Sequence, residues 1–118
     1  MHELRKLGAG AEMKLPASIR IGPYKCKVSR PKLEYDAEGF ANWGTFDTDN
    51  YEIEIADSDS FKDAALIAST TIHEMVHGIN CIYGLPDDEA TVRKMETALV
   101  QVLKDNKTLI RQILKALK

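Results

Sequence analysis

The sequence predicts an α+β domain. Apolar residues alternate with polar ones at period two in the first half, as in half-buried strands. From residue 61 onward they recur at helical spacing. The cluster Asp57-Ser58-Asp59-Ser60 marks the switch between the two regimes. At 118 residues the chain makes one domain. It is expected to span residues 17–118 behind a flexible leader, residues 1–16, which has mixed charge and little periodicity.

The first elements are strands. Ile19 and Ile21 flank Arg20, and after Gly22-Pro23 the parity shifts to Tyr24, Cys26 and Val28. A shift across Gly-Pro implies a tight turn or a bulge. Residues 32–35 suit a short strand before a turn at residues 36–39. Residues 40–46 and 51–55 read as a β-hairpin, with Asp47-Thr48-Asp49-Asn50 supplying the turn chemistry. Tyr51, Ile53 and Ile55 alternate with Glu52 and Glu54, giving one buried and one wet face. Trp43 is expected to cover the sheet.

Three helices are expected to follow. Ser60 and Asp63 resemble a capping box for a helix starting near Phe61 and ending at Asn80 or Tyr83. Its apolar stripe would be Ala65, Ile72, Val76, Ile79 and Tyr83. Gly84 suits the residue after this helix, and Asp87 suits the N-cap of the next. The second helix carries Val92, Met95, Leu99, Val102 and Leu103. Asp105-Asn106 breaks it, and Leu109, Ile110, Ile113, Leu114 and Leu117 form a third amphipathic helix.

Composition excludes several classes of function. The chain is 44% hydrophobic and 29% charged, with a net charge of −2. There is no basic block of the nucleic-acid-binding kind. No apolar run reaches membrane-spanning length, and the start lacks a signal-peptide core. The expectations are therefore a cytoplasmic protein with no nucleic-acid partner and no membrane partner. Cys26 and Cys81 are expected to be reduced.

Within the first helical segment lies Ile72-His73-Glu74-Met75-Val76-His77-Gly78. Residues four apart on a helix lie one turn apart on one face. His73 and His77 can therefore present two imidazole nitrogens to one zinc ion (Zn2+). Glu74 is rotated off that line and can reach a metal-bound water as a general base. The histidine face also carries Leu66 and Thr70.

A catalytic zinc site ordinarily has three protein ligands. Cys81, one turn beyond His77, drifts around the helix axis away from it. His2 sits in the leader. Asn80 and Tyr83 stand where the metzincin pattern needs Gly and His, which excludes that class. A carboxylate on the second helix remains: Asp88, Glu89 or Glu96. Glu89 and Glu96 share a face with Val92. An antiparallel pair with the first helix running to Tyr83 places Glu96 level with the histidines. A first helix ending soon after His77 brings Glu89 within reach instead.

The His73-Glu74-Met75-Val76-His77 motif, Tyr83-Gly84-Leu85, Glu89-Ala90-Thr91-Val92, and residues 99–103 with Asp105-Asn106 resemble small phage- and prophage-type zinc metallopeptidases. The resemblance covers residues 43–106. It implies a minimal zincin-like fold of the gluzincin type: a small antiparallel-rich sheet, the motif helix and two further helices. It also implies Glu89 as the third ligand beside His73 and His77; the wider group has a longer spacing nearer Glu96.

The expected activity is zinc-dependent hydrolysis of a peptide bond in a protein or peptide substrate. Glu74 would take a proton from a zinc-activated water and pass it to the leaving amine. Tyr83, Tyr51 or Arg93 would supply the oxyanion donor. An extended peptide would lie along residues 51–55 or 43–46. The rival reading is a non-catalytic zinc-binding or protein-interaction module on the same scaffold, to which an intact Glu74 would be superfluous.

Overall fold

A computed structural model describes residues 13–118; the expected leader up to residue 12, with His2, lies outside the described residues. The fold is α+β. Strands β1 (Ser18–Ile21), β2 (Tyr24–Ser29), β3 (Glu34–Tyr35), β4 (Ala41–Asn42), β5 (Gly44–Asp47) and β6 (Glu52–Ile55) precede helices α1 (Ala64–Tyr83), α2 (Glu89–Asp105) and α3 (Lys107–Ala116). The main sheet has the order β1-β2-β6-β5. Its β1–β2 and β5–β6 pairs are antiparallel. The central β2–β6 pair is parallel, so the sheet is mixed. β3 and β4 form a separate two-stranded ribbon.

The parity shift at Gly22-Pro23 is a tight turn: Ile21 pairs directly with Tyr24. Gly22 has φ 57°, the positive φ that a two-residue hairpin turn needs at its first central position. The shift leaves Ile19, Ile21, Tyr24, Cys26 and Val28 on one face. Ile53 and Ile55 of β6 join them, each 0% exposed.

The expected hairpin is shorter than its sequence suggests. Residues 40–46 split at Trp43, with β4 pairing to β3 and only β5 pairing to β6. Trp43 turns its ring onto Phe61, 4.9 Å between centroids. Asp47 organises the β5–β6 turn by accepting from the Asp49 and Asn50 amides at 2.9 and 3.2 Å. Tyr51, expected in the strand, takes φ 53° and closes the turn. Arg30 then fixes the exit of β6, donating to the Ile55 and Ala56 carbonyls at 3.0 Å each.

Helix α1 starts later than expected. Residues 58–60 form one 3-10 turn, and Asp63 is the N-cap, accepting from the Leu66 amide at 3.0 Å. The capping box from Ser60 does not form; Ser60 donates to Asp57 instead. The buried face of α1 also differs. Val76 of the expected stripe is buried, but Ile67, Thr71, Glu74 and Gly78 lie against the sheet, while Ala65, Ile79 and Tyr83 of that stripe are exposed. The apolar stripe is wider than one face, and the sheet meets the edge on which Gly78 allows a close approach.

Gly78 sets how near the helix comes. A Cβ there would come within 2.9 Å of Ile21 Cδ1 and 3.0 Å of Phe46 Cε1. Gly78→Ala should therefore lower the melting temperature although alanine is the better helix former. Overpacking of about 1–3 kcal/mol outweighs a propensity gain of about 1 kcal/mol. Thermal unfolding by circular dichroism checks this, and an unchanged or higher midpoint would refute it.

Candidate metal centre

The site is built from two helices and the loop between them. His73 and His77 stand one turn apart on α1 with ring centroids 4.9 Å apart. Gly84 ends α1 in the left-handed region, φ 70° and ψ 31°, and its amide turns back to the Asn80 and Cys81 carbonyls. The Leu85 amide also returns to Asn80 O, at 2.8 Å. The chain thereby doubles back over the last turn of α1. Asp88, not Asp87, caps α2, accepting from the Thr91 amide at 2.9 Å. Glu89 is the first residue of that helix.

This loop decides which acid meets the histidines. One Glu89 oxygen lies 3.0 Å from His73 Nε2, and the other lies 2.9 Å from His77 Nε2. Donor atoms of His73, His77 and Glu89 all lie within 4.8 Å of one another. Glu96 instead meets the far nitrogen of His73, Nδ1, at 2.8 Å. The helix does run to Tyr83, the condition that favoured Glu96. The tight return of residues 84–88 starts α2 level with His77 and brings Glu89 in. Cys81 is a free thiol outside this group.

Asp87, which suits an N-cap by sequence, holds His77 with its carboxylate instead. Both oxygens lie 3.0 Å from His77 Nδ1. Asn80, 3% exposed, donates to the same carboxylate at 3.1 Å. Each imidazole thus has one nitrogen committed to an outer carboxylate, Glu96 or Asp87, and the other turned to Glu89. In a neutral imidazole the Nδ1 proton then faces the outer carboxylate, and the lone pair of Nε2 faces inward. The donor set of two nitrogens and one carboxylate suits zinc. The only trace of Asp87 in the sequence is the Asp87-Asp88 doublet, where one acid suffices for the cap.

Glu74 lies beneath the histidines, between α1 and β5, and is 6% exposed. Gly44 makes room for it: a Cβ on Gly44 would lie 3.1 Å from Glu74 Cγ and 3.0 Å from Thr70 Cγ2. Burial pushes the Glu74 carboxyl up to about 7, against the opposing pull of His73 and His77. Burial also disfavours the charged form of His77. Its hydrogen bonds to Asp87 and Glu89 outweigh that and hold its pKa above the ordinary value.

Two hollows meet at the site. One, of about 270 Å³, is walled by Thr45, Phe46, Thr48, His77 and Asp87. The other, of about 350 Å³, is walled by Trp43, Leu66, Ser69, Thr70 and Arg93. Gly44, His73, Glu74 and Glu89 line both. The result is a trench along β5 with the histidines in its wall. β5 is the edge strand, whereas β6 is paired on both sides, so residues 51–55 have no free edge. Among Tyr83, Tyr51 and Arg93, only Arg93 lines the trench; its guanidinium lies 3.4 Å from Glu89. Tyr51 packs on Tyr24, 4.4 Å between centroids, and the Tyr83 ring lies beside Gly22. Comparison with known proteins gives no match: no family model, no curated protein and no solved structure aligns with this chain.

The burial of Glu74 makes the stability of the metal-free protein pH-dependent. Its carboxyl ionises near 4.5 ordinarily and near 7 in the fold. Below 4.5 it is protonated in both states and costs nothing. As pH rises to about 7 the unfolded chain loses this proton first, so folding weakens, and above that the loss is constant. Metal-free Glu74→Gln should match the wild type near pH 4.5 and exceed it above pH 7 by up to about 3 kcal/mol. Urea unfolding at several pH values measures the gap; a gap that does not widen with pH would count against a buried Glu74. Were zinc to occupy this group, Asp87→Asn and Glu96→Gln would each weaken its binding about 10–100-fold. Competition with a chromogenic chelator reads this out.

Proposed function

We propose that the protein is a zinc-dependent peptidase. The observation that carries this reading is the convergence of His73, His77 and Glu89 directly above a buried Glu74 in a trench along the edge strand β5. The three side chains would hold the ion, and Asp87 and Glu96 would orient the two imidazoles. When bound, zinc supplies Lewis acidity, which brings a coordinated water towards a neutral pKa.

The remaining chemistry belongs to the chain. Glu74, buried beside the two histidines, accepts the proton of the attacking water and returns it to the leaving amine. Burial keeps this carboxylate poorly hydrated and hence basic enough for the task. Arg93 faces the same trench and donates to the oxygen that gains negative charge. An extended peptide adds to the free edge of β5, with side chains entering the two hollows. Two features support this reading: the motif helix lies across a small mixed sheet, and the third acid opens the following helix. A purely structural or partner-binding zinc site would have no use for a carboxyl buried below it, since burial of an acid costs stability.

The test combines metal content with cleavage. Elemental analysis should find about one zinc per chain in wild type and in Glu74→Gln, and far less in Glu89→Ala. A peptide mixture read by mass spectrometry should show new termini with zinc-loaded wild type. Glu74→Gln should slow cleavage by at least about a hundredfold. Wild-type cleavage by a zinc-loaded Glu74→Gln would remove the general base, and a folded wild type that takes up no zinc would remove the reading altogether.

A further inference from the structure

Among the described residues, nothing covers the large apolar faces of the last two helices. On α2, only Val92 is buried, while Leu99, Val102 and Leu103 are 39%, 42% and 40% exposed. On α3 no residue is buried. Leu109, Ile113, Leu114 and Leu117 are 53%, 42%, 65% and 72% exposed. With Met95, 39% exposed, these side chains present on the order of 700 Å² of surface. That approaches the ~800 Å² that each partner gives to a standard interface.

Charge distinguishes the possible occupants. Lys107, Arg111, Lys115 and Lys118 give residues 107–118 a charge of +4 with no acid among them. Residues 13–106 carry ten Lys or Arg against sixteen Asp or Glu, a net −6. The α3 segment is therefore a basic, apolar arm on an acidic body. We propose that the occupant is a second copy of this chain, with each α3 docked on the α2 face and acidic body of its partner. A reciprocal pair of this kind covers both apolar faces at once and sets opposite charges against each other. An anionic lipid surface would satisfy α3, but it would leave the α2 face exposed and repel the body. The proposal does not rest on the zinc site.

Sedimentation equilibrium of the full chain across the micromolar range tests it. The expected particle has about twice the 13.2 kDa chain mass. Ile113→Glu combined with Leu114→Glu should yield monomer with unchanged helical circular dichroism, because both side chains are exposed within one chain. Arg111→Glu combined with Lys115→Glu keeps the apolar face and should raise the dissociation constant about tenfold or more. A monomeric wild type overturns the proposal. So does a dimer that both variants leave intact, or one indifferent to the charge reversal. Monomers that bind phosphatidylglycerol vesicles through Ile113 and Leu114 would make lipid the occupant instead.

Discussion

The close approach of α1 to the inner face of the sheet is the constraint from which the site follows. Two glycines permit it, Gly78 on the helix and Gly44 on β5, and each stands where a Cβ would meet side-chain atoms across the interface at 3.1 Å or less. The helix can then lie low enough that Glu74 sits between the layers. The same rotation about the helix axis lifts His73 and His77 to the rim of the trench. A helix packed a little higher would leave Glu74 hydrated and its carboxyl in the ordinary range.

The second determinant is electrostatic. Four carboxyl groups, Glu74, Asp87, Glu89 and Glu96, crowd around two imidazoles. Such a concentration of like charge is costly without a cation. In the metal-free protein the cost is relieved partly by protons, on His77 and on Glu74, whose pKa values are both raised. A divalent ion would neutralise the same cluster more fully. Binding of such an ion would release these protons, so its affinity would rise with pH.

The sequence carried much of this by itself. Period-two alternation located β1, β2 and β6, and helical spacing located α1, α2 and α3, because these patterns report directly which side faces the interior. The His73-Glu74-Met75-Val76-His77 spacing fixed that both histidines share a helix face and that Glu74 leaves it, since one turn of helix is local geometry. The resemblance to small zinc metallopeptidases singled out Glu89, where helix geometry alone had left Asp88, Glu89 and Glu96 open.

What only the tertiary structure decided lies in the non-local contacts. The parallel pairing of β2 with β6 joins segments separated by the ribbon and β5, and no local pattern encodes it. The buried edge of α1 was decided by the sheet it meets, so Ile67 and Thr71 are inside while Ile79 is out. Asp87 became the partner of His77 because Gly84 turned the chain back onto Asn80. The cap passed to Asp88, one residue later. Local propensity names the residues able to cap, turn or ligate, but distances between elements arise only when the whole core closes. That is why local spacing pointed to the two histidines and the glutamate between them, while the fold showed Asp87 and Glu96 on their outer nitrogens.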